Sequence, residues 1–162
     1  MSDLSEVYTL EKWVWSHQDF DIMGWHDATV HGFAIIASKF ELLFDIDYIL
    51  KWVEPEPPDN YYTFWVSPAT LVFEGVQDIR IELDVLNIQD IDLQGISREG
   101  PIPAPNGELI DWNWLLDANQ GNIQFRGSGF KQYFRRAPIR LREQGLEIAQ
   151  RGGLSFERAL TG

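Results

Sequence analysis

Residues 40–50 read Phe40-Glu41-Leu42-Leu43-Phe44-Asp45-Ile46-Asp47-Tyr48-Ile49-Leu50, and their parity points to a β-strand. The even positions Phe40, Leu42, Phe44, Ile46, Tyr48 and Leu50 are apolar, while Glu41, Asp45, Asp47 and then Lys51 fall at odd ones. Side chains alternate across a strand, so the even set is expected in the core and the carboxylates on a wet face. The next stretch, Glu54-Pro55-Glu56-Pro57-Pro58-Asp59-Asn60, has turn chemistry, and Tyr61–Val66 reads as the returning strand of a hairpin.

Outward from this hairpin the period stays near two. Residues 69–74 and 78–86 follow as strands, the second alternating Ile79, Ile81, Leu83 and Val85 against Arg80, Glu82 and Asp84. Further strands are expected at 27–37, 88–96, 109–117, 122–130 and 132–141. Before them, Leu10, Trp13, Val14 and His17 fall at helical spacing and predict a short helix. Residues 100–107 carry three prolines and predict a surface loop. Short connections and little helix between strands favour an antiparallel meander. The expectation is a mainly β fold, a sandwich or a curved, partly closed sheet with one or two short helices, in one domain over 1–162.

At 44% hydrophobic and 14% aromatic content, 162 residues suffice for a real core. There are no cysteines, which excludes disulfides and thiolate zinc sites. The longest apolar run, Phe33–Ala37, falls far short of the roughly 20 residues that span a bilayer. No secretion signal is read at the start, so the expectation is a cytoplasmic protein without a membrane span.

Charge is distributed unevenly. Residues 1–125 hold 22 acidic and 5 basic side chains, whereas residues 126–162 hold 3 acidic and 8 basic ones. Such an acidic body repels phosphate backbones, so nucleic acid is not expected as a partner. The arginines of the tail, among them Arg135, Arg136, Arg140 and Arg142, are expected to lie across the acidic strands and neutralise them. Arg135 and Arg136 are also the tail residues named as candidate contacts should that segment face a partner.

Histidines and carboxylates concentrate at His17, Asp19, Asp21, His26, Asp27 and His31. A general base or a metal ligand set would draw on such residues. The spacing holds no His-Glu-x-x-His pair, and neither a metal site nor a catalytic residue is expected. Asp27 or His26 is expected to hydrogen-bond in a turn after Gly24, with Trp25 anchored in the core. Asp90–Gly95 opens like a calcium loop but has Pro101 at the twelfth position, and Gly127-Ser128-Gly129 lacks the third glycine of a dinucleotide turn. A bulge or close strand crossing is expected at the latter. No cofactor is expected.

Trp25-His26-Asp27-Ala28, followed by a strand, resembles the aromatic-His-Asp-(Ala or Ser) step of small acidic bacterial proteins, some grouped with toxin-immunity proteins. Gly129-Phe130-Lys131-Gln132 with Arg135 resembles such proteins too. The resemblance implies a small bacterial β-rich protein that acts by binding. The leading functional expectation is therefore a non-enzymatic binding module that docks a basic protein through an acidic, aromatic-rimmed sheet face including Asp45 and Asp47. The alternative is a small-ligand or hydrolytic pocket in the mouth of the sheet, built from Trp25, His26, Asp27 and His31. A structural subunit that associates through sheet edges is a third reading.

Overall fold

Antiparallel pairing between neighbouring segments accounts for most of the architecture. The computed structural model describes residues 7–103, 107 and 110–159. Its strands are β1 (Val14–Ser16), β2 (Thr29–Ile36), β3 (Glu41–Val53), β4 (Thr63–Glu74), β5 (Gln77–Leu83), β6 (Ile91–Pro103), β7 (Ile110–Ala118), β8 (Gly121–Gly127), β9 (Gly129–Phe134) and β10 (Ile139–Leu141). Short 3₁₀ turns span His17–Ile22 and Ala37–Lys39, and one helical turn, α1, spans Ile148–Arg151. Among the described residues no helix is long and apolar enough to cross a membrane.

The strands form one antiparallel sheet in the order β1-β9-β4-β3-β2-β6-β7-β8-β5, with β10 added on β4. β3 and β4 make the longest ladder, from Leu42 opposite Phe73 to Val53 opposite Thr63. At Gly75–Val76 and at Ser128 the ribbon β4/β9 bends into β5/β8: Glu74 sits opposite Gly129, and Gln77 opposite Arg126. A bulge or close strand crossing is expected at Gly127-Ser128-Gly129, and the chain bends there between β8 and β9. A Cβ on Gly129 would collide with the His17 ring, so the bend needs glycine there.

The bend folds the two halves over a shared core. Leu42, Phe44 and Ile46 of β3, Leu71 and Phe73 of β4, Phe130 and Phe134 of β9, and Trp114, Leu116, Ile123 and Phe125 of β7 and β8 all point into it. Phe73 lies 4.7 to 5.6 Å, centroid to centroid, from the rings of Phe125, Trp114 and Phe130, mostly edge-on, as ring quadrupoles favour. The sheet does not close. Among the described residues β5 pairs only with β8, and β2 meets β6 only through Thr29–Asp92 and Val30–Ile91.

Four expectations need correction. The odd face of β3 is not wet: Leu43, Asp45, Asp47 and Ile49 are all buried, because residues from β10 to Arg158 fold back over it. Phe40 is not a core residue; it precedes β3 in a left-handed conformation and is 58% exposed. Leu10–His17 is not helical, because the backbone of Val14–Ser16 pairs with Lys131–Tyr133 and Ser16 caps the following 3₁₀ turn. The Gly100–Gly107 stretch begins as strand rather than loop, with Ile102 and Pro103 opposite Asp111 and Ile110. Among the described residues this edge of β6 has no second partner, so proline removes no ladder bond there. Residues 104–106 of that stretch, and residue 109 of the next strand, lie outside the described residues.

Candidate functional site

Asp45 and Asp47 sit two positions apart on β3 and therefore share a face, with both side chains fully buried. Buried carboxylates need paired cations and satisfied lone pairs. Arg151, also fully buried, reaches down from α1 and donates to Asp45 Oδ1 at 2.6 Å, Asp45 Oδ2 at 2.8 Å and Asp47 Oδ1 at 3.0 Å. Arg135 donates to Asp45 Oδ1 at 2.8 Å and to Thr70 Oγ1 at 2.9 Å. His31 Nε2 lies 2.7 Å from Asp47 Oδ2, which also accepts from the Leu146 N–H; the Ser155 N–H donates to Asp45 Oδ2.

Local sequence explains how Arg151 gets there. α1 ends at Gly152, whose φ of +80° closes the helical turn in the left-handed region that glycine occupies freely. The chain reverses, and Gly153 O accepts from Arg151 Nη1. Burial raises the Asp45 carboxyl, but hydrogen bonds from Arg151, the Ser155 N–H and Arg135 outweigh it and hold the group below its ordinary 3.8. Burial lowers the Arg151 guanidinium, and Asp45 and Asp47 reverse that and raise it. Every carboxylate oxygen already accepts a hydrogen bond, so the cluster acts as a latch that pins the chain beyond β10 to the sheet.

Of the residues named from sequence, His31, Asp45, Asp47 and Arg135 thus converge, though as a buried network rather than a surface ridge. Arg136 does not join it and donates to Gln150 O. Arg142 lies over the Tyr61 ring. Trp25 is the core anchor expected, its Nε1 donating to Gln132 Oε1 at 2.8 Å. Ala28 N–H closes a turn onto Trp25 O, and Asp27 within that turn accepts from Gln144 and lies beside His26 Nδ1. His26 itself is exposed against Trp52. His31 is paired with Asp47, apart from the His26–Asp27 pair.

The open side of the sheet offers the clearest unfilled surface. A backbone hydrogen bond from Val76 N–H to Phe40 O ties the tip of the β2–β3 hairpin to the bend. Beside it lies an apolar groove of about 280 Å³ lined by Ile35, Ile36, Ala37, Phe40, Val76 and Ile79, with Glu41 and Gln77 at its margin. Ile35 and Phe40 are more than half exposed. A bulky residue at φ +55° is strained by about 1–2 kcal/mol, and an exposed ring does little for the core in return. β5 enters this groove through Gln77 and Ile79; Asp78 and Glu82 on β5 and Asp84 just beyond it are exposed, and Arg80 is paired with Glu82. Comparison with family models, curated proteins and solved structures finds no match to this chain.

Proposed function

We propose that the protein is a non-enzymatic binding module that takes up an extended segment of a partner protein as an added strand on β5. The observation that carries this reading is the β5 edge, unpaired among the described residues, beside a groove exposing Ile35 and the strained Phe40. Strand addition satisfies the edge N–H and C=O groups, and alternate side chains of the guest fill the groove. The outward positions of the guest face Asp78, Glu82 and Asp84, so the partner segment alternates apolar with basic residues. The resemblance of the Trp25–Ala28 step to immunity-type proteins agrees with a role in capturing a partner. The bulge opposite β8 between Gln77 and Arg80, together with the charges on β5, protects the edge from indiscriminate pairing.

Titration with a peptide of alternating valine and lysine tests this. Expected is saturable binding that weakens with added salt and is lost when Ile35 and Phe40 are both changed to serine, since both are exposed and the fold survives. A valine–glutamate peptide binding as well as the lysine one, or a double variant that binds unchanged, would refute the reading.

A further inference from the structure

The far half of β3 carries a second opening, independent of the edge just described. Tyr48 lies seven residues beyond Glu41, about 23 Å along an extended strand. There Tyr48, Leu50 and Phe134 form the floor of a cavity of about 230 Å³. Its walls come from the chain before β2: Tyr8, Trp15, Ile22 and Met23. Among the described residues one charged side chain lines it, the exposed Glu11. The neighbouring Lys12 is paired with Asp19 at 2.6 Å.

The floor carries one polar group, the Tyr48 hydroxyl. Tyr48 OH accepts the Gly24 N–H at 3.1 Å and keeps its second lone pair. The Trp15 indole N–H is already spent on Lys12 O, so that ring offers only its π surface. The Trp15 ring already attracts an ammonium group, Lys12 Nζ standing 4.6 Å from its centroid. Four aromatic rings, one carboxylate and a chain of net charge −12 select for positive charge and against anions.

We infer that this cavity binds a small organic cation, a quaternary or alkyl ammonium whose apolar body fills the space between Tyr8, Trp15, Tyr48 and Phe134 and whose charge faces Glu11. Isothermal titration calorimetry of the full chain with benzyltrimethylammonium tests it, against the neutral tert-butyl analogue. The cation is expected to bind at least about tenfold more tightly than the neutral analogue, the scale of a desolvated cation over aromatic rings. Glu11→Gln is expected to weaken it about threefold, the size of one solvent-facing ion pair. Ile22→Lys, at a 73% exposed position on the rim, supplies a competing cation without touching the core and is expected to weaken it further. The Trp15 indole N–H resonance should shift on binding. Equal affinity for the neutral analogue, binding that leaves the Trp15 signal unmoved, indifference to both variants, or no saturable binding would each overturn the inference.

Discussion

Replacing Arg151 by methionine tests whether the latch holds the fold. Methionine keeps much of the aliphatic volume but removes all five guanidinium hydrogen bonds: two to Asp45, one each to Asp47, Ile46 O and Gly153 O. Asp45 keeps Arg135, but Asp47 keeps only the imidazole of His31 and one backbone N–H, with no guanidinium. Breaking one side of a buried pair costs about 3–5 kcal/mol, because the stranded charge cannot return to water. With a urea m-value of about 2 kcal/mol/M, the unfolding midpoint should drop by about 1.5–2.5 M. The stranded carboxylate is the source of that cost, so Asp47→Asn added to Arg151→Met should lose less than the two single losses combined, by about 1–3 kcal/mol. Equilibrium urea unfolding followed by tryptophan fluorescence measures all four proteins. A loss below about 1 kcal/mol, or strict additivity, would show that the tail is held by apolar contacts such as Leu146 instead.

Acid should release the same latch. Asp45 in the fold sits below its ordinary 3.8, and Glu41, paired with Arg158, below its ordinary 4.5. Both favour the ionised form in the native state, so their stabilisation is complete above those ordinary values and disappears as pH falls through the lowered ones. Asp92, raised by burial and by Asp90, works in the opposite sense and offsets part of the loss. The urea midpoint should therefore fall between about pH 4.5 and pH 2, and a midpoint that stays level over that range would contradict the assignment. Trp25→Phe keeps a ring among Phe20, Tyr48 and Phe130 but strands Gln132 Oε1 in the core. It should cost about 1–3 kcal/mol by thermal or urea unfolding, and Gln132→Leu in the same chain should recover part of it.

Local pattern alone established the mainly β, antiparallel character, while several strand bounds, among them the break at Ser128 and the strand at Val14–Ser16, were not legible. Period-two alternation in 40–50 and 78–86, and turn residues at 54–60, depend only on neighbours along the chain. They survive in β3, β5 and the β3–β4 connection. The anchoring of Trp25 and the irregularity at Gly127–Gly129 were legible for the same reason. Parity also placed Asp45 and Asp47 together on one face of β3. What that face meets was decided by a segment about a hundred residues away, and no local period encodes it. The hint was present in Leu43 and Ile49, apolar residues bracketing the two aspartates on the supposedly wet face. Complementary charge between body and tail predicted that arginines would cross to the acidic strands, but not which ones. Arg135 and Arg151 arrive because the end of β9 and the Gly152 turn aim them inward, whereas Arg136 points to α1. Likewise the open edge at β5 and the aromatic cavity at Tyr48 arise from where the sheet fails to close and where the chain before β2 lies across it. Both depend on non-local pairing, which tertiary packing settles and a linear pattern cannot.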